Sequence, residues 1–175
     1  TPRLCALEEG DRLWLGPKIT GLFTFDRLQN GVNVAMVATG TGLAPYMSML
    51  RTDLERESGR RLAVLHSARH SWDLGYRGEL ITMQRLHPNF TYLATVSRPD
   101  EELVPWGGLV GHVQRLWRER VLDRAWGFRP EPANTHMFLS GNPGMIEEMM
   151  AILRSEGFRE HTRQVPGEIH VEKYW

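Results

Sequence analysis

The stretch "VATGTGLAPYMSML", residues 37–50, runs apolar to Ala38, turns polar and glycine-rich, and becomes apolar again at helical spacing. Residues 34–38 have the composition of a short buried strand. From Pro45 onward Met47, Leu50 and Leu54 fall on one helical face. Proline suits the first helical turn, because its fixed φ fits and its missing N–H has no partner there in any case. The loop 39–44 therefore joins the C-terminal end of a strand to a helix N-terminus. Free backbone N–H groups and the positive end of the helix dipole point the same way at such a junction, which favours an anion. Gly40 and Gly42 would let a phosphate or flat ring approach the backbone. The loop matches neither G-x-G-x-x-G, where Pro45 replaces the last glycine, nor a P-loop, which would end in Gly-Lys-Ser/Thr. An ordinary strand–turn–helix junction remains an alternative on this stretch alone.

Working outward, further strands are expected at 61–68 ("RLAVLHSA"), 90–96 ("FTYLATV"), 135–139 ("THMFL") and 167–174. Helices are expected at 45–57 closed by Gly59, 78–86, 110–122, and 143–155 closed by Gly157. Strand and helix alternate, so the expectation is an α/β fold with a parallel five-stranded sheet covered by helices on both faces, ligands sitting at the C-terminal edge of the strands. Residues 1–30 differ: "EEGDRLWLGPKITGLFTF" carries turn signals and short β-type runs without a helix. They suggest the last strands of a β-barrel, with a boundary near residues 30–31.

The chain has 175 residues, 41% apolar and 24% charged, which suits one full domain or one domain and part of another. Its 21 basic and 21 acidic residues cancel, which gives no electrostatic case for nucleic acid or a membrane as partner. Cys5 is the single cysteine, so no disulfide framework exists and a cytoplasmic setting is the simplest expectation. No apolar run approaches the ~20 residues of a membrane-spanning helix. The chain opens Thr1-Pro2, with neither an initiator Met nor a signal-peptide pattern, which suggests a fragment.

Other candidate site residues map to the same sheet edge. "LSGNPGMIEEM" repeats the strand–glycine–helix junction: Asn142 can cap the helix, and Ser140 and Gly141 would lie beside Thr39 and Gly42, although good capping alone explains much of the pattern. "HSARH" and "VSRPD" end adjacent strands, so Arg69 and Arg98 would project where forked guanidinium groups bind phosphate, the alternative being solvated surface arginines. His66 and His70 are spaced as zinc ligands on a helix, but the segment leaves a strand and no third ligand is near, so no metal site is read here. Met145, Met149 and Met150 are read as core packing. Tyr174 and Trp175 should pack on the protein's own core or on a flat ring, with Glu172 nearby as a proton donor or polar anchor.

Taken in order, "VATGTGLAPY", "LHSARHSWDLGY", "TVSRP", "FLSGNPGM" and the terminal "HVEKYW" resemble the bacterial ferredoxin (or flavodoxin)–NADP reductases over nearly the whole chain after residue 30. The resemblance implies that residues 31–175 are a Rossmann-like NADP-binding domain and residues 1–30 the end of an FAD-binding barrel. It implies cofactor contacts at Thr39, Gly40, Thr41, Gly42 and Asn142, and a 2′-phosphate site at Arg69, Ser97 and Arg98. Ser140 and Gly141 would lie beside the nicotinamide, Glu172 would be the acidic residue of the active site, and Tyr174 and Trp175 would pack on FAD, with Ser140, Glu172 and Trp175 as the catalytic set. The implied activity is hydride exchange between NADP(H) and FAD, with single electrons passing to or from ferredoxin or flavodoxin, in a monomer. The sequence departs from the family's pattern where His112 replaces a basic residue, where Ser140 occupies a position often held by Cys, and in lacking the barrel's Arg-x-Tyr-Ser/Thr flavin motif. Alternatives are an NADH-using reductase component of an oxygenase and a non-catalytic nucleotide-binding module without a flavin domain.

Overall fold

A computed structural model describes residues 2–18, 21, 23–26, 28–55 and 59–172. Its centre is a parallel sheet of β1 (Asn33–Thr39), β2 (Leu62–Ala68), β3 (Phe90–Val96), β4 (Leu109–Val110), β5 (Thr135–Ser140) and β6 (Ile169–Glu172), in the order β4-β3-β2-β1-β5-β6. Five of these strands are the expected ones. The sixth, β4, takes Val110 from the start of the expected helix at 110–122 together with the preceding Leu109, and pairs with Thr95 and Val96.

The central strands are apolar on both faces, as a sheet covered on both sides requires. Side chains alternate between the faces, so Val34, Met36, Ala38, Leu62 and Val64 join one core, beneath α2 (Ala44–Asp53) and α3 (Arg77–Leu86). Ala35, Val37, Ala63, Leu65, Met137 and Leu139 join the other, covered by α4 (Val113–Arg118), α5 (Val121–Trp126) and α6 (Pro143–Ser155). Met145, Met149 and Met150 are buried in that second core, as packing residues.

The expected single helix at 110–122 is broken in two. Arg120 adopts φ 56°, a left-handed conformation that ends α4 and restarts the chain as α5. Glu156 holds the break, accepting from Arg120 Nη2 at 3.0 Å and from Trp117 Nε1 at 3.1 Å. The turn lets both Trp117 and Trp126 enter the core, at 1% and 3% exposure. Helix α2 ends at Asp53, short of the expected residue 57, and Gly59 turns the chain with φ +67°.

The described residues before β1 contain one helical turn, α1 (Pro2–Cys5), and no strand. The β-type runs expected there find no ladder: Trp14 is 92% exposed, while Phe23 and Phe25 pack edge-on against Phe138. Among the described residues no helix is long and apolar enough to cross a membrane.

The chain winds outward from β1 to β4 and then returns to place β5 on the other side of β1. Strand order reverses between β1 and β5, and the crevice beyond their C-terminal ends is where sheets of this kind bind ligands.

Candidate functional site

Both loops at that crevice are built from small residues because they press on each other. Gly40–Leu43 forms a 3-10 turn running straight into α2, with Pro45 in the helix's first turn. Gly42 faces inward. A Cβ there would run into the carbonyl of Ser140 and stand 2.6 Å from the Gly141 nitrogen. Gly141 has φ +127°, and a Cβ on it would strike Thr39 Oγ1 and lie 2.5 Å from the Thr39 carbonyl oxygen. A hydrogen bond closes the seam, Asn142 N–H donating to Thr39 Oγ1 at 2.8 Å. Asn142 also caps α6, its Oδ1 accepting from Met145 N–H at 3.2 Å. The N-termini of α2 and α6 thus flank one crevice.

The crevice opens into a cavity of about 1010 Å³. Of the candidate residues, Thr39, Gly40, Thr41, Gly141 and Asn142 line it from the seam, and Arg69, Ser97 and His112 line it from the ends of β2 and β3 and from the N-cap of α4. The structure therefore brings residues from five separated segments onto one concave surface.

Four of the expected contacts stand back from it. Gly42 is buried behind the wall, where its lack of a side chain admits the Ser140 carbonyl. Ser140 is fully buried, and its Oγ has no hydrogen-bond partner. Arg98 lies outside the lining, with Nη1 directed at Glu101 Oε1, 3.2 Å away, on the loop between β3 and β4. Glu172 is in register with Ser140 across β5 and β6, part-buried and not in the cavity wall. Tyr174 and Trp175 lie outside the described residues.

The two histidines with ligand-like spacing do different things. His66 is buried on β2, its Nδ1 3.1 Å from the Tyr92 hydroxyl, and burial pushes its pKa down to about 4. His70 lies on the following loop between two carboxylates, Asp73 and Glu101. No group of three metal-ligating side chains occurs among the described residues.

Tyr76, Gln114 and Glu148 are among the lining residues that sequence reasoning did not assign to the site. Tyr76 adopts φ 56° at the start of α3, is 52% exposed and lines the cavity, with the Arg51 guanidinium 5.5 Å from its ring centroid. Its one signal is the Gly75-Tyr76 turn before a helix. Gln114 and Glu148 share a 2.8 Å hydrogen bond, and Glu148 also binds Arg118 at 2.8 Å. Sequence position places Glu148 at the positive end of the α6 dipole; only the packing of α4 on α6 brings it to the cavity.

In chemical terms, the site offers two helix N-termini with glycine-rich backbone, an exposed aromatic ring, and an arginine with a serine at its far end. Such a surface suits an extended, phosphate-bearing ligand with flat rings. The family model described as "oxidoreductase NAD-binding domain" matches residues 36–150. The flavodoxin/ferredoxin–NADP reductase of Escherichia coli strain K12 is 28% identical over 176 residues, covering 100% of this chain and 70% of the relative. Ferredoxin–NADP reductase B of Sorangium cellulosum is 35% identical over 156 residues, covering 88% and 59%. A ferredoxin NADP+ reductase from Neisseria gonorrhoeae with bound FAD and NADP matches with a TM-score of 0.75 at 24% identity, covering 87% of this chain and 60% of that one. The chain thus spans 70% of the Escherichia coli relative and 60% of the Neisseria structure.

Proposed function

Because the chain belongs to the oxidoreductase NAD-binding domain family, we propose that it is the NADP(H)-binding part of an FAD-dependent ferredoxin or flavodoxin–NADP reductase. The observation that carries this reading is the seam between Thr39 and Asn142, which opens directly onto the cavity reaching Arg69 and Ser97.

Each part of the dinucleotide has residues suited to it. The N–H groups of the Gly40–Leu43 turn and the start of α2 would receive the pyrophosphate. Tyr76 offers a face for the adenine, and Arg69 and Ser97 donors for a 2′-phosphate. His112, on the same wall, adds an imidazole that can donate a hydrogen bond. Gly141 lets the nicotinamide end approach the backbone, with the unpartnered Ser140 hydroxyl behind it. The nicotinamide and flavin, when bound, supply the hydride and electron chemistry, and the protein's part is to orient them and exclude water.

For the flavin, the described residues provide only an edge, at Ser140 and Glu172 across β5 and β6. By the family resemblance Glu172 would hold or move a proton there, while Tyr174 and Trp175 would cover the ring. We assign residues 1–30 to the end of the flavin-binding domain and 31–175 to the nucleotide domain. We read ferredoxin or flavodoxin as the electron partner, the protein as a monomer and the cytoplasm as its setting.

Titration of the chain with NADPH and NADH, followed by tryptophan fluorescence, tests the reading. NADPH should bind roughly tenfold more tightly, and Arg69→Ala should remove that margin. Equal affinities would instead favour the NADH-using reductase of an oxygenase system.

A further inference from the structure

The loops that follow β2 and β3 are fastened by a polar clasp beside the cavity. His70 sits at its centre, with Nδ1 3.2 Å from Asp73 Oδ2 and Nε2 2.8 Å from Glu101 Oε2. Alongside, Glu102 accepts from Ser71 N–H at 2.6 Å and from the Ser71 hydroxyl at 2.7 Å. The backbone N–H groups of Ser97 and Arg98 donate to the carbonyls of Ala68 and Arg69, each at 3.0 Å. Two candidate phosphate ligands are therefore set by the clasp, Arg69 from one loop and Arg98 from the other.

Ionised carboxylates only accept hydrogen bonds, so an imidazole with a carboxylate at each ring nitrogen satisfies both only when both nitrogens carry protons. Its ring lies flat on Trp72, with centroids 4.4 Å apart and planes 10° from parallel, an arrangement that also suits a cation. The hydrogen bond to Glu101 and, after it, that to Asp73 raise the pKa of His70. The same bond helps hold Glu101 below the usual carboxylate range. The charged groups around His70 are Asp73 on its own loop and Glu101 on the other, with Arg98 on the far side of Glu101.

Glu101 is the shared member. Its Oε2 lies 2.8 Å from His70 but 3.4 Å from Arg98, and the contact between Oε1 and Arg98 is 3.2 Å. We propose that His70 is a positioning residue for nucleotide selectivity: by holding and neutralising Glu101 it leaves Arg98 available to a 2′-phosphate. This rests on the reading of the cavity as an NADP(H) site. When His70 gives up a proton, one of its carboxylates loses its donor and Glu101 turns its charge on Arg98. The negative charge of Asp73, which lines the cavity, is then also uncompensated. Preference for the phosphorylated nucleotide falls as pH rises.

The test is calorimetric binding of 2′-phospho-AMP and of AMP to the chain, at about pH 6 and about pH 8.5, on either side of an ordinary histidine. The 2′-phosphate itself titrates near pH 6, so each variant is compared with the parent at the same pH. His70→Gln should weaken 2′-phospho-AMP binding about two- to fivefold at the lower pH and converge with the parent at the higher, leaving AMP unchanged. Glu101→Gln should strengthen 2′-phospho-AMP binding by a similar factor at the higher pH, and in the double variant should restore the lost affinity. Parallel profiles for parent and His70→Gln, or weaker binding in the well-folded Glu101→Gln protein, would overturn the proposal while leaving the nucleotide reading intact. Absence of any preference for 2′-phospho-AMP in the parent would remove that reading, and this inference with it.

Discussion

The Asn142 backbone N–H donates to Thr39 Oγ1 at 2.8 Å, joining residues 103 apart in sequence at the place where the sheet reverses its strand order. Thr39 is the last residue of β1, and Asn142 is the N-cap of α6, so this bond fixes the end of a strand to the start of a helix in the other half of the fold. Thr39→Val keeps the shape and removes the acceptor. It should cost about 1 kcal/mol in chemical denaturation and weaken NADPH binding several-fold by letting the two loops part. Thr39→Ser should retain both properties. Unchanged NADPH affinity in a measurably destabilised Val variant would show that the seam serves the fold alone.

Two glycines in the first loop should separate folding from binding. A Cβ at Gly42 collides with the backbone of Ser140 and Gly141, so Gly42→Ala should destabilise by about 2 kcal/mol or more, since neither backbone can give way. Gly40 has φ +54° but no atom within 4 Å of a Cβ, and it lines the cavity. Gly40→Ala should cost only about 1 kcal/mol, the left-handed backbone penalty, yet bind NADPH poorly because the methyl group projects where a phosphate would approach. Thermal melts and NADPH titrations on both variants check the pair; equal losses in both assays for Gly40→Ala and Gly42→Ala would contradict the division of roles.

Much of this arrangement is legible in the sequence where a local pattern and the fold demand the same thing. The apolar runs ending at Ser67, Val96 and Ser140 are strands because nothing interrupts their burial, and Gly42 signals a close approach, which is that of the Ser140 carbonyl where the sequence leads us to expect a phosphate or flat ring. The parts that escape depend on partners far away in the chain. The break at Arg120 is stabilised by Glu156, which no window around residue 120 contains. Arg98 looks like a free phosphate ligand until Glu101 is placed beside it and His70 beside Glu101. Gln114 and Glu148 reach the cavity only because α4 packs on α6. The β-type runs before residue 30 have the composition of strands but no neighbouring ladder among the described residues, and strand formation needs one.

Acid should weaken the fold through His66. Burial pushes its folded-state pKa down to about 4, whereas the unfolded chain has the ordinary value near 6.5. Between those values the unfolded state binds more protons, so stability rises with pH there. The contribution is fully present above about 6.5 and is lost as pH falls towards about 4, a total of about 3 kcal/mol at most. His136 and His170, also depressed first by burial, act in the same direction. His66→Leu should flatten the dependence of the urea midpoint on pH in this window, leaving the remainder to the other two. Identical slopes in the two proteins would exclude His66 as the source.

Ser140 carries a hydroxyl that the fold does not use. It is fully buried, its Oγ has no partner, and its backbone is already pinned by Gly42 on one side and by pairing with Ala38 and Glu172 on the others. A buried hydroxyl without a hydrogen bond costs about 1–3 kcal/mol relative to one in water. Removing it by Ser140→Ala should therefore leave stability unchanged or raise it by up to about 1 kcal/mol. A group retained at such a cost is expected to meet its partner in the bound state, where the nicotinamide end would lie against Gly141. NADPH affinity, or the rate of hydride exchange in the complete FAD-containing enzyme, should then fall severalfold in the same variant. Gain of stability with loss of binding or rate identifies Ser140 as part of the site, whereas gain of stability with both unchanged would make the hydroxyl a packing residue and leave the proposed catalytic assignment to Glu172 and Trp175.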